Sequence, residues 1–557
     1  MKNPSITQLL ERLWNHISTR RRVQFGLLLV LIFFASFVEI LSIGAVLPFL
    51  AVLTAPERVF LHPAAQPFIQ ILEIAKPSQL LLPLTLGFGA AVLLAGTMRL
   101  VLLWTSSRLS FATGADLGVN IYRRTLYQPY AVHCARNSSE VIAGISGKAN
   151  GIIYSIMLPV LTLISSSVLL LAILIALLSV EPIIALAAFS GFGFIYLVII
   201  RLSRDKLLTD SQCVARESVQ VVKALQEGLG GIRDVLIDGS QATYVQIYSN
   251  ADLPMRRAQG SSAFIGASPR YAVEAMGMLL ITLLAYTLAL HADGIGRTIP
   301  ILGALALGAQ RMMPVFQQAY SSWVSVQSGQ ASLKDTLDLL DQPMPDHAVQ
   351  PAASSLPFKH SISLKQIGFR YSPQTPYVLK QIDLVITKGS RVGFIGSTGS
   401  GKSTLLDIVM GLLEPTDGLM EVDGQAITSS NYRSWQAHIA HVPQAIFLAD
   451  STVEENIAFG VSKEKIDHQR VRDAAQKAQI SDSIETWPDQ YQTHVGERGI
   501  RLSGGQRQRI GIARALYKQA NILIFDEATS ALDNETEHSV MQAIDGLSSE
   551  LTMLIIA

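Results

Sequence analysis

At 557 residues, the chain is too long for one ordinary domain. Apolar residues make up 49% of the sequence and charged residues only 16%, against roughly 25% in soluble proteins, and the deficit of charge lies before about residue 320. Lys and Arg number 44 against 43 Asp and Glu, so no basic excess supports binding of nucleic acid. Both cysteines, Cys134 and Cys213, fall in segments that we interpret as cytosolic, which argues against a disulfide framework.

Six apolar segments have the length that a membrane-crossing helix needs, about 20 residues. They are Phe25–Leu53, Leu80–Trp104, Ile152–Val180, Pro182–Ile200, Tyr271–Leu290 and Ile299–Tyr320. The first is too long for the apolar core of a signal peptide. The third and fourth meet at Glu181-Pro182, which predicts a tight hairpin. Buried core helices are the alternative, but five of the six segments exceed the usual length of such helices.

The distribution of positive charge predicts the orientation of these helices. Arg and Lys are frequent in 1–22, 105–150 and 201–268, whereas the opposite side has only short loops. We therefore expect both termini in the cytoplasm and two long, mostly helical intracellular excursions. A motor domain could contact their tips, near Tyr130–Glu140 and Gln241–Asn250, and so move the membrane helices. On the outer side, Pro67–Ala75 is either an amphipathic helix in the interface or a simple loop.

A proline-rich linker, Asp341–Pro357, follows the membrane half. The predicted domains are a membrane domain over 1–340, a linker over 341–360 and an α/β domain over 361–557. The fold class expected is an all-α, six-helix transmembrane domain fused to an α/β P-loop nucleotide-binding domain.

The α/β domain contains a strand, a G-x-x-x-x-G-K-S loop and a helix in succession. The loop residues are Gly396, Ser397, Thr398, Gly399, Ser400, Gly401, Lys402, Ser403 and Thr404. Such glycines let backbone N–H groups turn inward and bind phosphates at the start of the helix. Lys402 is placed for the β- and γ-phosphates of ATP, and Ser403 for Mg²⁺.

The apolar run 521–525 precedes two adjacent acids, Asp526 and Glu527. We expect this run to be a strand that delivers both carboxylates at its carboxyl end, beside the P-loop. Asp526 would hold the Mg²⁺ shell, and Glu527 would orient and deprotonate the attacking water. The alternative for an isolated acid pair is a solvated loop, but the preceding run has the composition of a buried strand.

Between these motifs lies Leu502-Ser503-Gly504-Gly505-Gln506, and here the sequence resembles the ATP-binding cassette (ABC) family. LSGGQ is the signature of that family, and physically it is a second anion-binding turn with glycines opening a helix from Gln506. The resemblance implies that Ser503, Gly504, Gly505 and Gln506 meet the γ-phosphate held by another subunit. It also implies that Tyr371 stacks on adenine, that Gln444 senses Mg²⁺ and the γ-phosphate, and that Ser530–Asp533 crosses a dimer interface.

One departure from the family concerns the last strand, Leu551–Ala557. In the family this strand continues into a histidine that contacts the γ-phosphate, and further strands and a helix follow. We expect the sequence to be a fragment of a longer product, with its last strand left as an unpaired apolar edge. Weak hydrolysis and poor solubility of this domain are the expected consequences.

The chain has one cassette, whereas closing two ATP sites takes two. Because the site residues match the consensus of the family, we expect a homodimer rather than a pair with one degenerate site. A membrane domain fused ahead of the cassette resembles the exporter branch, which implies alternating access in the cytoplasmic membrane. ATP would draw the cassettes together, and the intracellular helices would transmit this movement to the cavity.

Three arginines in or beside the spans, Arg99, Arg270 and Arg311, are the candidate substrate residues. Internal pairing is the simpler interpretation, since Glu274 lies one turn from Arg270 and Glu39 lies within the first span. The alternative is a cavity for a phosphate or pyrophosphate group, which guanidinium groups bind well.

The stretches Ser36–Phe49, Ser268–Glu274 and Gln310–Pro314 resemble the lipid-linked oligosaccharide flippases of bacterial protein N-glycosylation. That resemblance implies a substrate with a lipid tail, a pyrophosphate and a glycan. A multidrug or general lipid exporter, an ATP-gated channel and a soluble clamp on DNA are the other functions considered.

Overall fold

The computed structural model describes residues 4–45, 49, 52–53, 56–61, 63, 66–71, 74–178, 182–289, 295–345, 348, 356–526, 534–545 and 551–556. Side chains in 295–311 and at several other helical positions lie outside that description. The chain divides into two compact units. The membrane unit comprises Met1–Tyr127 and Arg136–Pro343, and the ATPase unit comprises Gln128–Ala135 and Met344–Ala557.

The membrane unit is entirely helical within the described residues. Its helices are α1 (Ile6–His16), α2 (Thr19–Gly44), α3 (Leu81–Leu126), α5 (Leu158–Leu178), α6 (Pro182–Gly230), α7 (Ile232–Ile237), α8 (Gln241–Ala289), α9 (Ile295–Ser328) and α10 (Gln330–Leu340); α4 (Tyr130–Ala135) follows α3 in the chain. Helical segments at Ser138–Ile142, Ala143–Lys148, Ala149–Gly151 and Ile152–Met157 run directly into α5, the second and fourth being π-helical. Short helices occupy Pro56–Phe60, Gln66–Ile71 and Pro77–Leu80.

Three helical stretches in the described part are long and apolar enough to cross a membrane. They are Thr19–Ser42, Pro77–Leu126 and Ser138–Ala176, which contain or overlap the first three predicted spans. Large apolar side chains such as Leu27 and Phe37 lie exposed on α2, as expected of a helix that faces lipid. The other three predicted spans fall within α6, α8 and α9 and stay predictions, and the proposed hairpin at Glu181 lies outside the described residues.

The predicted intracellular excursions are continuous with the membrane helices. Helix α3 has 46 residues, which is about 69 Å of helix, or more than twice the thickness of a bilayer core. The first predicted tip corresponds to α4. The second was placed too late in the chain, because the break between α6 and α8 lies at 231–240 and Gln241–Asn250 form the first turns of α8. Gly230, Gly231 and Gly239 favour the break there.

The first helix of the chain packs against α10. Leu9 of α1 and Leu333, Leu337 and Leu340 of α10 are fully buried in one apolar cluster, which also receives side chains from α2, α3 and α5. Each such leucine stabilises the fold by about 1.5–3 kcal/mol relative to an exposed one. Arg12 donates to Asp338 over 2.9 Å and also pairs with Asp341, so ionic contacts border the apolar cluster.

The ATPase unit combines two four-stranded sheets with short helices. Its strands are β1 (Ser361–Phe369), β2 (Leu379–Thr387), β3 (Arg391–Phe394), β4 (Asp417–Val422), β5 (Gln425–Ala426), β6 (Ile439–Val442), β7 (Ile522–Asp526) and β8 (Thr552–Ile556). Its further helices are α11 (Lys402–Val409), α12 (Tyr432–Gln436), α13 (Val453–Ile457), α14 (His468–Lys477), α15 (Ser481–Glu485), α16 (Gly504–Tyr517) and α17 (Asn534–Asp545).

One sheet is antiparallel, in the order β2-β1-β4-β5, and the other is parallel, in the order β3-β8-β7-β6. Strand β7 is buried on both faces. Its Ile522 and Ile524 belong to one apolar core, shared with the antiparallel sheet and α11, whereas Leu523 and Phe525 belong to the other, shared with α14 and α16. Burial on both faces explains why this strand is a continuous apolar run.

The last strand is not the unpaired edge that we expected from the sequence. Strand β8 pairs with β3 on one side and β7 on the other, so it lies inside the parallel sheet. Within the described residues the edge on that side is β3, and Ile395 after it is 87% exposed. Sequence order could not give this arrangement because β8 is inserted between two strands that precede it in the chain.

Candidate functional site

The glycine-rich loop follows β3 and ends at α11. Gly399 and Gly401 have φ values of +85° and +91°, which glycine adopts without the cost that a side chain brings. A Cβ atom at Gly401 would also lie 2.9 Å from Leu379 Cδ2 and 3.2 Å from the carbonyl oxygen of Val378. Both the backbone conformation and the close packing therefore require glycine at this position.

The first residues of α11 place the polar groups of the loop. The Lys402 ammonium donates to the carbonyl oxygen of Gly396 over 2.6 Å, so its side chain folds back along the loop. The hydroxyls of Thr404 and Tyr371 lie 3.0 Å apart. The Tyr371 ring packs edge-on against Phe369 and stays largely exposed, which leaves an aromatic surface beside the loop.

The parallel sheet brings the other polar groups to the same edge. Because β3, β6 and β7 run parallel, the glycine-rich loop, Gln444 and Asp526 all follow the carboxyl ends of their strands. Strand β8 lies between β7 and β3, so Asp526 and the loop come from strands that are not neighbours in the sheet, and the close approach of Asp526 to the loop stays a prediction. Partial burial, and secondarily the Asp526 carboxylate, raise the pKa of Asp407 on α11 to about 6.

The signature residues form the start of α16. Ser503 is the N-cap: its hydroxyl accepts from the backbone N–H of Gln506 over 3.2 Å, and the Gln506 side chain accepts from the N–H of Ser503 over 2.9 Å. The helix begins at Gly504, not at Gln506 as the sequence suggested, so both glycines lie in its first turn. Ser503 and Gly504 are exposed, and the turn is open to an anionic group.

A half-buried arginine, to which the sequence analysis assigned no role, connects α16 to the segment after Gln444. The Arg514 guanidinium donates to the carbonyl oxygens of Phe447 and Asn456, both over 2.9 Å, and lies 4.5 Å from the Phe459 ring. Burial lowers its pKa to about 10. Asn456 is itself buried and holds Ala449 through two hydrogen bonds. The Ala-Arg-Ala-Leu run after the signature is the sequence signal for Arg514. It gives no indication of the backbone oxygens that Arg514 contacts.

The helix at the first intracellular tip, α4, belongs to the ATPase unit. The hydrogen bond with Cys134, followed by partial burial, raises the pKa of Tyr130 to about 12, and the charges of Asp407 and Tyr371 act in the same direction. Tyr130 therefore lies close to residues of the candidate nucleotide site. The prediction that this tip meets the motor domain is consistent with that placement.

In the membrane unit, two of the three candidate substrate arginines have carboxylate partners. The Arg99 Nε donates to Glu39 over 2.7 Å, a second Arg99 nitrogen also contacts that carboxylate, and Arg270 donates to Glu274 over 3.0 Å. The internal pairing that we considered is thus present for both. The side chain of Arg311 on α9 lies outside the described residues.

The residues present fit ATP with Mg²⁺. The loop glycines at positive φ, the folded-back Lys402, the exposed Ser403 hydroxyl and Asp526 at the same sheet edge are the types of group that such a ligand needs. No cluster of three or more His, Cys, Asp or Glu residues occurs in the described part of the chain, and a magnesium site with hydroxyl and phosphate ligands needs none. Glu527, Ser530 and Asp533 lie outside the described residues.

Residues 379–530 match the family model of ABC transporters. The ATPase unit therefore contains an ABC transporter domain. A solved structure titled as a bacterial Atm1-family ABC exporter with ATP bound matches it with a TM-score of 0.72 and 24% identity, over 92% of this chain and 90% of the other. The expected fold class, a helical membrane domain with an α/β nucleotide-binding domain, is confirmed.

Two curated relatives illustrate the extent of the sequence similarity. The ATP-dependent lipid A-core flippase of Cupriavidus pinatubonensis is 29% identical over 446 residues, which are 79% of this chain and 74% of the relative. The flippase of the same description from Saccharophagus degradans is 43% identical over 233 residues, or 42% of this chain and 39% of the relative. The chain is accordingly a membrane protein and an ATPase that couples hydrolysis of ATP to transport.

Proposed function

We propose that the chain is one half of a homodimeric exporter that flips a lipid-linked, pyrophosphate-bearing glycan across the cytoplasmic membrane. Both termini lie in the cytosol, and the two subunits alternate between inward-open and outward-open states. The single observation that supports an ionic substrate group is the Arg99–Glu39 pair in the apolar part of the membrane unit. Ionisable side chains are costly in the apolar core of a membrane, so they are rare there and commonly mark substrate or ion pathways.

The geometry of the pair favours a role beyond internal neutralisation. Glu39 is 9% exposed, whereas the Arg99 side chain is 64% exposed in the single chain. The carboxylate therefore fixes the guanidinium from one side and leaves its remaining N–H groups directed away from the helix pair. A guanidinium held in this way suits a phosphate oxygen. Arg270 is held similarly by Glu274 and is 60% exposed.

In the ATPase unit we assign the residues of the candidate nucleotide site as follows. Tyr371 stacks on adenine, residues 396–404 bind the phosphates, and Lys402 contacts the β- and γ-phosphates. Ser403, Gln444 and Asp526 hold Mg²⁺, which supplies positive charge next to the transferred phosphate. Glu527 orients and deprotonates the attacking water. Ser503, Gly504, Gly505 and Gln506 bind the γ-phosphate at the partner's loop.

The relatives support a lipid substrate of some kind, since two are described as lipid A-core flippases. That description favours a second candidate function, export of a lipid without a pyrophosphate-linked glycan. The two candidates differ in what the cavity must recognise, a pyrophosphate group or an acyl chain with any head group.

ATPase stimulation in proteoliposomes distinguishes the two candidate functions. Purified protein receives a polyprenyl pyrophosphate that carries a sugar, the corresponding monophosphate, or an uncharged polyprenol. We expect the pyrophosphate to stimulate hydrolysis most. Equal stimulation by the uncharged lipid would reject the glycan substrate in favour of the general lipid exporter.

The matched variants remove the charged pair without leaving an unpaired buried group. We expect Glu39→Gln with Arg99→Gln to abolish stimulation while basal ATPase remains, and Arg311→Gln to weaken stimulation. Arg108→Ala is the control, because its guanidinium lies 5.2 Å from the Trp104 ring as an interfacial anchor. Stimulation that survives in the double variant would contradict the assignment of Arg99 to the substrate.

A further inference from the structure

The side chain of Gln317 on α9 is hydrogen-bonded to two other helices of the membrane unit. Its Oε1 accepts from the hydroxyl of Tyr196 on α6 over 2.9 Å, and its Nε2 donates to the carbonyl oxygen of Gly266 on α8, also over 2.9 Å. A backbone carbonyl can only accept, so the amide nitrogen has to face Gly266 and the Tyr196 hydroxyl is the donor to Oε1. These three groups, which we call the Gln317 bridge, form one chain of hydrogen bonds across three helices.

Aromatic side chains surround one end of the Gln317 bridge. Tyr196 is 4% exposed, and its ring stacks on that of Phe316, with ring centroids 5.9 Å apart and planes 7° apart. The Tyr320 ring lies 5.4 Å from the same tyrosine. Because Tyr196 has little access to water, its hydroxyl depends on Gln317 for a partner, and losing that partner costs more than it would at the surface.

The bridge reaches α8 at a turn that a proline weakens. Pro269 is buried inside α8 and has no N–H, so the carbonyl oxygen of Ile265 lacks its usual helical donor. The next carbonyl along the helix, that of Gly266, is the one that receives the amide of Gln317. A Cβ atom at Gly266 would lie 3.4 Å from Val324 Cγ1, so α8 and α9 are in close contact at this point. The bridge thus ties α8 to α9 where α8 has lost one of its own hydrogen bonds.

Arg270, one of the candidate substrate residues, directly follows this proline. Its carboxylate partner, Glu274, belongs to the same helix, so their ion pair cannot fix Arg270 relative to other helices. Arg99 differs in this respect, because its partner Glu39 lies on α2. The charges of Arg270 and Glu274 are close enough to act on the Tyr196 hydroxyl. The Gln317 bridge is therefore the contact near Arg270 that holds its helix against two others.

The three residues of the bridge have similar depths in the predicted membrane arrangement. Tyr196 is four residues from the cytosolic end of the fourth predicted span, Gly266 is five residues before the fifth, and Gln317 is three residues from the end of the sixth. These separations correspond to about 4–8 Å of helix. The hydrogen bonds thus join residues that the sequence alone predicts to lie at one level, the cytosolic ends of the spans.

We propose that Gln317 is a positioning residue for the substrate site: by holding the turn at Pro269, it sets the place of Arg270 relative to α6 and α9. This role rests on the proposed function, in which Arg270 meets the pyrophosphate group. Gln317 acts through Arg270 and does not itself contact the substrate, because both ends of its amide are bound by protein groups. Glutamine suits this role, since its amide both donates and accepts, whereas leucine does neither and a carboxylate only accepts.

Hydrogen–deuterium exchange of the full chain tests the bridge without any substrate. Gln317→Leu removes both hydrogen bonds, so the amides of 262–274 in α8 should exchange about two- to tenfold faster, the factor that corresponds to the net strength of one hydrogen bond. Exchange at the start of α8, in 241–253, should not change. Gln318→Leu makes the same substitution at the next position, which is exposed, and is the control.

A second substitution shows whether the two hydrogen bonds act together. Tyr196→Phe removes one hydroxyl and should produce a smaller rise in exchange, since Gln317 still holds Gly266. Added to Gln317→Leu it should have little further effect, because the partner of the hydroxyl is already gone. Tyr320→Phe removes the other hydroxyl of the aromatic cluster, which has no hydrogen bond to Gln317 within the described residues, and should change nothing. Two effects that add in full would contradict the bridge.

Substrate stimulation of ATPase activity tests the positioning role. In proteoliposomes, Gln317→Leu should raise the concentration of the polyprenyl pyrophosphate sugar that gives half-maximal stimulation by about two- to tenfold, while the rate at saturating substrate stays at the wild-type value. A merely structural defect would instead lower the maximal rate. In a background with Arg270→Gln and Glu274→Gln, the same substitution should have no further effect, because it acts through Arg270.

Unchanged exchange in Gln317→Leu, an equal rise in Gln318→Leu, or a further effect in the background without Arg270 would each overturn the proposal. Faster exchange with an unchanged half-stimulating concentration would overturn it as well. If the pyrophosphate lipid does not stimulate the wild type, the proposed function fails, and the exchange result alone still decides whether Gln317 holds α8. If Gln317→Leu does not fold, Tyr196→Phe takes its place in both assays.

Discussion

The two units differ in how the partners of their polar residues are distributed along the chain. In the ATPase unit, the phosphate-binding groups are nine consecutive residues, and the N-cap of α16 pairs with a residue three positions later. In the membrane unit, Arg99 pairs with a residue 60 positions away and Arg12 with one 326 positions away. A contiguous motif fixes its own backbone geometry, whereas an ionic pair between helices depends on how those helices pack. The local geometry of the phosphate-binding groups is therefore set within the motif, whereas the pairs of Arg99 and Arg12 depend on helix packing.

Among the variants that test this difference between the two units, Lys402→Ala should have the largest effect, a loss of ATPase activity. Lys402→Ala removes the positive charge of the loop from the transferred phosphate, and loss of one such electrostatic contact typically lowers the rate by about 10²–10³-fold. We expect ATPase activity to fall by that factor while the unfolding temperature hardly changes. Lys380→Ala, which removes an exposed lysine on β2, is the control. Activity above a tenth of wild type in Lys402→Ala would break the assignment.

The ATPase unit also contains a contact between residues far apart in the sequence, that of Arg514 with Phe447 and Asn456. It tests whether such contacts matter for the stability of this unit too. Arg514→Ala leaves the carbonyl oxygens of Phe447 and Asn456 without their donor, so we expect the free energy of unfolding to drop by about 2–4 kcal/mol. Arg514→Lys should recover only part of the loss, because an ammonium cannot reproduce the planar fork. Thermal unfolding measures both. The exposed Arg501→Ala should stay within about 0.5 kcal/mol of wild type.

The two roles proposed for Ser503 can be separated by comparing two helix caps. Ser503→Ala and Asp467→Ala each remove an N-cap, of α16 and α14 respectively, and each should cost about 1 kcal/mol of stability. Only Ser503→Ala should also lose ATPase activity, because only that cap lies in the signature. Equal activities of the two variants would leave Ser503 as a structural cap alone.

The smallest effect is expected at the membrane unit's contact between α1 and the end of α10. Partial burial opposes ionisation of Asp341, but hydrogen bonds from Arg12 and His16 outweigh it and hold the pKa of Asp341 below 3.8. Because the folded pKa lies below the unfolded one, the stabilisation is present above pH 3.8 and is lost as the pH falls through the folded value. Asp341→Asn should therefore cost about 0.5–1 kcal/mol at pH 7. The difference from wild type should begin to narrow near pH 3.8 and close once the pH is below the folded pKa of Asp341, and a difference that persists there would contradict the ionic origin.

The sequence predicted those features that adjacent residues determine. The P-loop with its strand and helix, and the signature turn, follow from spacing and composition, and the structure contains them. Three apolar helical stretches contain or overlap the first three predicted spans, although their ends differ by up to 22 residues. Strand β8 could not be placed, because its insertion between β3 and β7 reflects topology and not order in the chain. The break at 231–240 was missed because the residues on both sides are equally helical in composition.

The role of Arg514 was missed for the same physical reason. Its acceptors are backbone oxygens of Phe447 and Asn456, and a backbone oxygen leaves no signal in the residue type. Internal pairing of Arg99 and Arg270 was anticipated as the simpler interpretation, since Glu39 and Glu274 are rare acids in apolar surroundings.

The central claim is that two chains share each ATP site, one giving its P-loop and the other its signature turn. Mixing Lys402→Ala with Ser503→Ala subunits tests this claim directly, since each variant alone inactivates both ATP sites of a homodimer. In a mixed dimer, the intact loop of one chain meets the intact signature of the other at one site. The account predicts ATP hydrolysis in the co-purified mixed dimer that neither variant shows alone, whereas no recovery, or full activity of Ser503→Ala by itself, would contradict it.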